Sequence, residues 1–415
     1  MARTDAIVLG AGIVGTSIAL HLVKRGLSVA LVDRGGPGEE TSYGNAGIIE
    51  GNTLFPHAFP SDPAALARII FKQATEANYH LSYLPKALPW LLAYRKWTQP
   101  DKLVEHAHMV RPLFSRAAPE HEALMAESNA THYLRKTGWL KLYRTEQHFA
   151  SMQRELDLAA KFGLPVKAIG TDEARALEPS LAPVFPRAIF WTDAASVSNP
   201  LGVTRAYAAR YAEFGGVTVK GDALSLHRTG DRWRVETDEG PLDAGDIVVA
   251  LGPWAGDLLQ RFDLKLPLGY KRGYHRHFGA RGNAGLSRPV LDSTAGYLIA
   301  PMEQGLRITS GAEIAARDAP PTPVQFDRLL PKARELFPLG DQVDNKTWMG
   351  VRPCFADSRP VIGRAPNLRG LWLAIGHAHW GLTLGPATGR MIAEMMTGNT
   401  PFCDPAPYRA ERFLQ

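Results

Sequence analysis

The sequence predicts a two-domain α/β protein, with a parallel sheet in one domain and an antiparallel sheet in the other. Its 415 residues, 45% of them apolar, are enough for two or three domains with buried cores. The amino terminus has the pattern strand, glycine turn, helix, strand. Apolar strands that end in glycine turns recur near residues 246 and 372, so we expect distant segments to return to the first domain.

Composition narrows the class of protein. The net charge is +6, but the charged residues, 21% of the total, are spread along the chain and form no dedicated nucleic-acid stripe. No apolar run approaches the roughly 18 to 20 residues of a membrane-spanning helix. The first residues resemble a secretory signal only superficially, and we expect them to belong to the mature fold. A soluble, globular protein that does not bind nucleic acid is therefore predicted.

The two cysteines bear on cofactors and location. Cys354 and Cys403 form no CxxC pair and have neither zinc nor iron–sulfur spacing. This usage fits a reducing compartment, so we expect a cytoplasmic location and predict no metal site.

Residues 5–34, DAIVLGAGIVGTSIALHLVKRGLSVALVDR, predict a Rossmann-like dinucleotide-binding unit. Gly10 makes the turn after the first strand, Gly12 lets backbone amides approach a pyrophosphate, and Gly15 permits close packing of helix on strand. The positive end of the helix dipole then faces the phosphates. Asp33, at the end of the second strand, is placed to accept hydrogen bonds from an adenosine ribose. The alternative is a packing turn without a ligand.

This unit alone leaves NAD and FAD open, and three later segments favour FAD. Residues 38–51 form a small-residue loop that would reach a ring system, and residues 246–256 form a buried strand with a glycine turn. Residues 372–398 predict a strand, a glycine-rich turn and an amphipathic helix that begins near Pro386. Its amino terminus would stabilise negative charge at the pyrimidine edge of a reduced flavin. The alternative is a unit that only closes the sheet.

From residue 5 to residue 398 the chain resembles the D-amino acid oxidase superfamily of FAD-dependent oxidoreductases. It is most similar to bacterial D-amino-acid dehydrogenases, through TSYGNAGII, RKTGWLKLY, YKRGYH, LRITSGAEIA and GVRPCFADSRPVIG. The carboxyl-terminal third is about equally similar to glycine oxidase. The resemblance implies a Rossmann-like FAD-binding domain and an α+β substrate domain. It also implies non-covalent FAD, because neither Cys354 nor Cys403 falls on the attachment position that some relatives use.

The resemblance, together with the glycine pattern, implies a set of residues that hold the adenosine, the pyrophosphate and the flavin. They are Gly10, Gly12, Ile13, Val14, Gly15, Asp33, Arg34, Thr41, Ser42, Asn45, Ala46, Gly47, Ile48, Ala223, Gly252, Trp254, Gly376, His377, Gly381, Leu382 and Thr383.

The resemblance also implies that Arg352, in GVRP, binds the substrate carboxylate. Its planar fork suits a carboxylate better than a lysine would. The alternative is a structural arginine paired with Asp357 or Glu313.

Three further residues are candidates for the substrate pocket. Tyr297 matches a pocket tyrosine of glycine oxidase, so its hydroxyl is expected to share the carboxylate, and Tyr274 is a second candidate. His379 lies in the flavin loop, where relatives vary the residue that faces the pocket.

The expected reaction is oxidative deamination of a D-amino acid or small cyclic imino acid. With the carboxylate clamped, the neutral amine assists transfer of the Cα hydrogen as hydride to flavin N5, giving an imino acid that water hydrolyses to a keto acid and ammonia. The related dehydrogenases pass electrons to a quinone. The alternatives are a glycine or sarcosine oxidase that uses oxygen, or the FAD subunit of a heteromeric amine dehydrogenase. A tRNA-modifying flavoprotein is disfavoured, because no basic run is present.

The predicted division of the chain is discontinuous. The FAD-binding domain takes residues 1–54, 141–255 and 345–415, a mostly helical insert takes 55–140, and the substrate-binding domain takes 256–344. Aromatic residues beside basic ones within the insert suit an interfacial helix. We therefore expect either peripheral attachment to the inner face of the cytoplasmic membrane or a partner subunit at this segment.

Overall fold

The computed structural model describes residues 2–51, 54–56, 59 and 63–414. The strands in these ranges are β1 (Ala2–Leu9), β2 (Val29–Asp33), β3 (Ile48–Ile49), β4 (Ala77–Tyr79), β5 (Leu134–Arg135), β6 (Trp139–Tyr143), β7 (Val166–Gly170), β8 (Arg187–Trp191), β9 (Ala195–Val197), β10 (Val217–Thr229), β11 (Arg232–Thr237), β12 (Leu242–Val249), β13 (Gly269–Ala280), β14 (Val290–Asp292), β15 (Tyr297–Met302), β16 (Gly305–Thr309), β17 (Ala312–Ile314), β18 (Leu339–Gln342), β19 (Trp348–Cys354), β20 (Val361–Arg364) and β21 (Leu371–Ile375).

The α-helices in the same ranges alternate with these strands along the chain. They are α1 (Ile13–Val23), α2 (Pro63–Ile70), α3 (Leu84–Trp97), α4 (Pro100–Phe114), α5 (Ala117–Glu127), α6 (Glu146–Ala150), α7 (Gln153–Lys161), α8 (Thr171–Leu177), α9 (Pro200–Glu213), α10 (Ala255–Gln260), α11 (Gln325–Leu336) and α12 (Gly381–Met396).

The first sheet has seven strands in the order β1-β2-β10-β11-β12-β21-β20, with β1 also paired to β12. The pairs β1–β2, β1–β12, β2–β10 and β12–β21 are parallel. Strands β1 and β12 are buried between α1, α9 and α12 on one side and a second apolar cluster on the other. Burial on both faces explains why these strands are continuous apolar runs in the sequence.

The second sheet has eleven strands, most of them antiparallel. Its longest strand, β13, pairs with β16, β17, β18 and β19, whereas β14–β6 and β17–β4 are parallel. Helix α11 packs against one face of this sheet. The predicted α/β class, with an antiparallel sheet in the second part of the molecule, is confirmed.

Sheet membership differs from the predicted division in three places. Strands β6, β7 and β8 join the second sheet, although residues 141–255 were assigned to the FAD-binding domain, and β19 does so within residues 345–415. Helices α4 and α5, in the predicted insert, pack with α9 and α12 beside the first sheet. The reason is that the chain crosses repeatedly between the sheets, and the alternation of apolar residues does not identify a strand's partner.

The helices of the predicted insert bear on the question of membrane contact. No helix in the described ranges is both long enough and apolar enough to span a bilayer. Trp90 and Tyr94 of α3 point inward and stack on each other, with ring centroids 5.1 Å apart, whereas Leu88 and Leu92 are exposed. The aromatic residues that suggested an interfacial helix therefore contribute largely to the interior.

Candidate active site

A single large cavity of about 2280 Å³ lies between the two sheets in the described part of the chain. Its first wall is the edge at which the parallel strands β1, β2, β12 and β21 end, and its opposite wall is formed by β13 and β19. The carboxyl edge of a parallel sheet is where nucleotide ligands bind in such folds. With two exceptions, all the predicted cofactor residues line this cavity.

The exceptions are Gly15 and Gly47, which support the wall from behind. A Cβ on Gly15 would lie 1.8 Å from the carbonyl oxygen of Gly10, and one on Gly47 would lie 2.5 Å from the carbonyl oxygen of Val197. Both positions exclude a side chain because backbone packs directly against them. The predicted role of Gly15 in close helix–strand packing agrees with this contact.

The first turn has the shape that a pyrophosphate requires. Gly10 has φ +105°, and α1 begins at Ile13 with no acidic residue in its first turn. The two carboxylate oxygens of Asp33 accept hydrogen bonds from the backbone N–H of Ala11 (2.7 Å) and of Gly35 (2.8 Å). The carboxylate is thereby held at the end of β2, beside a helix terminus that favours negative charge.

The loop after β2 folds over this turn through its polar side chains. Ser42 Oγ accepts a hydrogen bond from the N–H of Ile13 (2.9 Å). Asn45 Oδ1 accepts from the N–H of Gly47 (2.8 Å), and Asn45 Nδ2 donates to the carbonyl oxygen of His379 (3.3 Å). Asn45 therefore links the loop to the turn before α12, which lies 334 residues further along the chain.

A buried chain of polar side chains fixes the same loop from the second sheet. Arg307 donates to the carbonyl oxygens of Tyr43 (2.8 Å) and Asn45 (2.6 Å), and its Nε donates to Nε2 of His277 (3.0 Å). His277 Nδ1 in turn donates to Asp344 (2.7 Å). His275, His277 and Asp344 place ligand atoms within 4.8 Å of one another, but the guanidinium occupies Nε2 and disfavours a second cation.

Helix α12 begins at Gly381, one turn earlier than the predicted start near Pro386. A proline inside a helix removes the N–H that the carbonyl four residues earlier needs. Here His121 Nε2 donates to the carbonyl oxygen of Leu382 at 2.6 Å, and its Nδ1 is then available to accept from the Tyr207 hydroxyl at 3.0 Å. A side chain from α5 thus replaces the missing bond, which the sequence around Pro386 does not reveal.

The turn before α12 is held by two histidines in different ways. Burial lowers the pKa of His377 to about 3, and its Nε2 is hydrogen-bonded to Thr388 (3.0 Å). His379 is half-buried at the cavity wall, and its ring packs on Trp380 with centroids 4.2 Å apart. His377 therefore stays neutral and orients the turn, whereas His379 faces the cavity.

The wall of the cavity after β2 contains a cation–ring contact. The guanidinium of Arg34 lies 4.0 Å from the ring centroid of Trp254, and Ala223 lies across the cavity from them. Gly252 has φ +54° and begins the short turn that carries Trp254. The structure thus brings the predicted residues of four separate segments to one site.

Three flat side chains cover glycines on the cavity face of the second sheet. A Cβ on Gly273 would lie 2.4 Å from Nη2 of Arg352, and one on Gly350 would lie 2.0 Å from the ring of Trp348. Trp90 likewise covers Gly269 and donates to the carbonyl oxygen of Cys354 (3.0 Å). The absence of side chains at these glycines lets the guanidinium and the two indoles lie directly on the backbone.

The carboxylates that were alternatives for pairing with Arg352 are engaged elsewhere. Glu313 lies 2.6 Å from Nη2 of Arg272, and Asp357 accepts from Arg359 and Arg412. Among the described residues, no carboxylate lies within ion-pair distance of Arg352, and burial lowers the pKa of its guanidinium. The site therefore holds a half-buried cation without a protein counter-ion.

Tyr274 and Tyr297 both line the cavity, but their side chains leave the sheet on the face opposite to that of Arg352. Their hydroxyls donate to Glu313 (2.6 Å) and to the carbonyl oxygen of Lys332 (3.2 Å) on the side covered by α11. The register pairs Lys271 with Arg352, so odd-numbered residues of β13 share the face of Arg352 and Tyr274 does not. The Tyr297 hydroxyl is bonded to Lys332 on this side, and its sharing of a carboxylate with Arg352 stays a prediction.

Sequence-based prediction missed three residues on this side of the second sheet. Lys271, Arg307 and Trp348 all face the cavity side of the second sheet. The usable signal was the alternation in YKRGYHRH, which places Lys271 on the same side as Gly273. This alternation identifies residues that face the cavity only when the pairing of β13 with β19 is known, and no local pattern predicts that pairing.

Comparison with known proteins is consistent with this geometry. A family model described as FAD dependent oxidoreductase (DAO) matches residues 5–395, so the chain belongs to this family. D-amino-acid oxidase of Bradyrhizobium diazoefficiens is 30% identical over 416 residues, with 98% of each chain covered. D-amino acid dehydrogenase 2 of Mesorhizobium japonicum is 28% identical over 425 residues, with 96% of this chain and 97% of that protein covered. The crystal structure of glycine oxidase from Geobacillus kaustophilus has the same fold, with a TM-score of 0.75, 24% identity and 99% of each chain covered.

The family membership confirms the resemblance inferred from the motifs and identifies FAD as the cofactor. The cavity fits this group, because the turn at Gly10, the held carboxylate of Asp33 and the start of α12 line one continuous space. The chain is therefore an FAD-dependent oxidoreductase.

Proposed function

We propose that this protein oxidatively deaminates a D-amino acid or a small cyclic imino acid, giving an imino acid and then a keto acid and ammonia. The observation that carries the proposal is the guanidinium of Arg352, which has no carboxylate partner among the described residues and faces the FAD cavity. A substrate carboxylate would supply the missing counter-ion through two charge-assisted hydrogen bonds.

Bound FAD supplies a hydride acceptor for the C–H bond beside the substrate nitrogen. The protein's own contribution is to orient the substrate and to control its charge. Arg352 holds the carboxylate, so the Cα hydrogen has one defined direction. The cations of Arg352 and Lys271 disfavour a further positive charge nearby, so the bound amine gives up its proton and presents a lone pair on nitrogen. Trp348 and Trp90 cover Gly350 and Gly269 on the same face of the sheet and restrict water there.

We further propose that the cofactor is dissociable and that electrons pass to a quinone at the membrane. The proposal is supported by large apolar side chains around α2 and α3 that are more than half exposed: Ile70, Phe71, Leu81, Leu88 and Leu92, of which Ile70 and Leu81 line the cavity. Lys72 and Lys86 lie in the same segment and would favour an anionic lipid surface. Attachment would then be peripheral, on the inner face of the cytoplasmic membrane.

Two alternatives keep the same site and change the acceptor. The similarity to a protein named D-amino-acid oxidase favours direct reoxidation by oxygen, as in a glycine or sarcosine oxidase. The exposed apolar side chains would equally suit a partner subunit that carries electrons away, as in a heteromeric amine dehydrogenase.

One anaerobic experiment tests the substrate and then the acceptor. The yellow protein is mixed with D-amino acids, their L-enantiomers, D-proline, glycine and sarcosine, and loss of flavin absorbance is followed. Bleaching by D-amino acids or D-proline is expected, and bleaching only by glycine and sarcosine would favour the oxidase alternative. Failure of the whole panel would contradict the proposal. Reoxidation by air, by a soluble quinone or only with added membranes then distinguishes the acceptors.

A further inference from the structure

Lys271 is a second cation beside Arg352 on the cavity face of the second sheet. The two residues are directly opposite each other in the antiparallel pair β13–β19, so their side chains leave the same face, with Cβ atoms about 5 Å apart. Both line the FAD cavity. Cys354 lies close enough to both cations for each of them to lower the pKa of its thiol, although burial raises that pKa overall.

The ammonium of Lys271 contacts aromatic rings. Its ammonium lies 3.9 Å from the ring centroid of Tyr94 and 5.2 Å from that of Trp90. These two rings stack nearly parallel, with an angle of 9° between them. In the described part of the chain, the ammonium forms no ion pair with a carboxylate and donates no hydrogen bond. The ring contact stabilises the charge but leaves its three N–H donors unused.

Two neighbouring cations without counter-ions repel each other, so their presence in one cavity favours a ligand with more than one negative charge. Lys271 leans toward Trp90, which covers Gly269, whereas Arg352 lies over Gly273, four pairs further along the strand. The ammonium and the guanidinium therefore point toward different positions along β13. A molecule with two separated carboxylates matches this arrangement better than a single carboxylate does.

We propose that Lys271 binds a second acidic group of the substrate, so that the preferred substrates are amino acids with two carboxylates. Arg352 binds the carboxylate next to the amine, and Lys271 selects the side chain or the nitrogen substituent that carries the other. The inference rests on the proposed function, because it assigns Arg352 to the first carboxylate. It adds to that function a residue that would determine the class of substrate.

The test compares acids with their amides, which have nearly the same shape. We expect D-aspartate to exceed D-asparagine, or D-glutamate to exceed D-glutamine, by about tenfold to a hundredfold in kcat/KM, the range of one charge-assisted hydrogen bond. In Lys271→Met the acid-to-amide ratio should fall to about one. Lys271→Arg should keep a preference for the acid. Lys167→Met, at an exposed position of the same sheet, is the matched control and should keep the wild-type ratio.

A binding measurement separates this inference from the proposed function. Malonate and succinate are titrated against acetate, and their dissociation constants are obtained from the change in flavin absorbance. The dicarboxylates should bind at least tenfold more tightly to wild type, and this advantage should disappear in Lys271→Met. That result would support the second subsite even if no D-amino acid bleached the flavin.

Two outcomes would overturn the inference. One is a wild-type protein that oxidises amides as well as acids and binds acetate as tightly as malonate and succinate. The other is a Lys271→Met variant whose rates with acid and amide fall by the same factor, since Lys271 would then act on the carboxylate beside the amine.

Discussion

Gly273→Ala tests whether the position of the Arg352 guanidinium determines activity. The new Cβ would lie 2.4 Å from Nη2, 2.8 Å from Cζ and 3.1 Å from Nη1 of Arg352. An ordinary contact requires about 3.5 Å, so the guanidinium must move by about 1 Å. A displacement of about 1 Å at a positioned group costs on the order of a hundredfold in rate, or about 2.7 kcal/mol of transition-state stabilisation.

The fold should tolerate this change. The atoms that the Cβ meets belong to the end of a flexible side chain and not to backbone. Alanine also restricts the unfolded chain more than glycine, so the free energy of unfolding should change by less than about 1 kcal/mol. The assays are kcat/KM with the best substrate, the flavin absorbance spectrum and urea unfolding. We expect kcat/KM to fall by about a hundredfold with the spectrum and the unfolding free energy nearly unchanged.

Two further variants make the result decisive. Gly279→Ala is a matched control on the same strand, because the nearest atom to its Cβ lies 3.9 Å away. It should keep wild-type kinetics. If Gly273→Ala acts only through the guanidinium, it should have little further effect in an Arg352→Ala background. Wild-type kcat/KM in Gly273→Ala, or full additivity of the two changes, would refute the reasoning.

Three other predictions follow from the same contacts. Arg352→Ala should lower kcat/KM by a hundredfold or more, because it removes two hydrogen bonds of about 1.5 to 3 kcal/mol each. Arg352→Lys should restore only part of the lost kcat/KM. Equal activity of the wild type and both variants would contradict carboxylate binding. His121→Phe leaves the Leu382 carbonyl without a donor, so the free energy of unfolding in urea should fall by about 1 to 3 kcal/mol. Titration of the apoprotein with FAD should also show a weaker affinity. Unaltered values would show that the hydrogen bond is dispensable. Burial holds the pKa of several histidines below the unfolded value of about 6.5, so the unfolded state takes up protons first as the pH falls. The free energy of unfolding should therefore decrease as the pH drops from about 6.5 toward 4. The decrease should reach up to about 1.4 kcal/mol per pH unit for each histidine. The pKa is lowered to about 3 for His21, about 4 for His106, about 4 for His121, about 2 for His275 and about 3 for His377. Urea unfolding at pH 7, 6 and 5 measures this slope, and a flat profile would contradict it.

Much of the cofactor site could be predicted from the sequence because its determinants are local. Gly10, Gly12, Gly15 and Asp33 lie within one strand–turn–helix–strand unit, whose geometry depends on residue spacing and on φ angles that glycine tolerates. The same holds for the turn at Gly376, which has φ +78°. The family and the cofactor followed from these short patterns.

Predicting where α12 begins required information from elsewhere in the chain. Pro386 indicated a helix boundary, and only the position of α5 shows that His121 supplies a donor to Leu382 from 261 residues away. Proline disrupts an isolated helix because the carbonyl four residues earlier loses its N–H donor. In a folded protein, a neighbouring side chain can donate to that carbonyl instead.

The sequence by itself determined the class of fold, the FAD unit and the candidacy of Arg352. The tertiary structure decided which side chains lie on the same face of the sheet as that arginine. Tyr274 and Lys271 are three residues apart, yet they lie on opposite faces of the second sheet because side chains alternate along a strand. Which face receives the cavity depends on the pairing of β13 with β19, about 80 residues later, and such pairing is a property of the packed sheet and of no single segment.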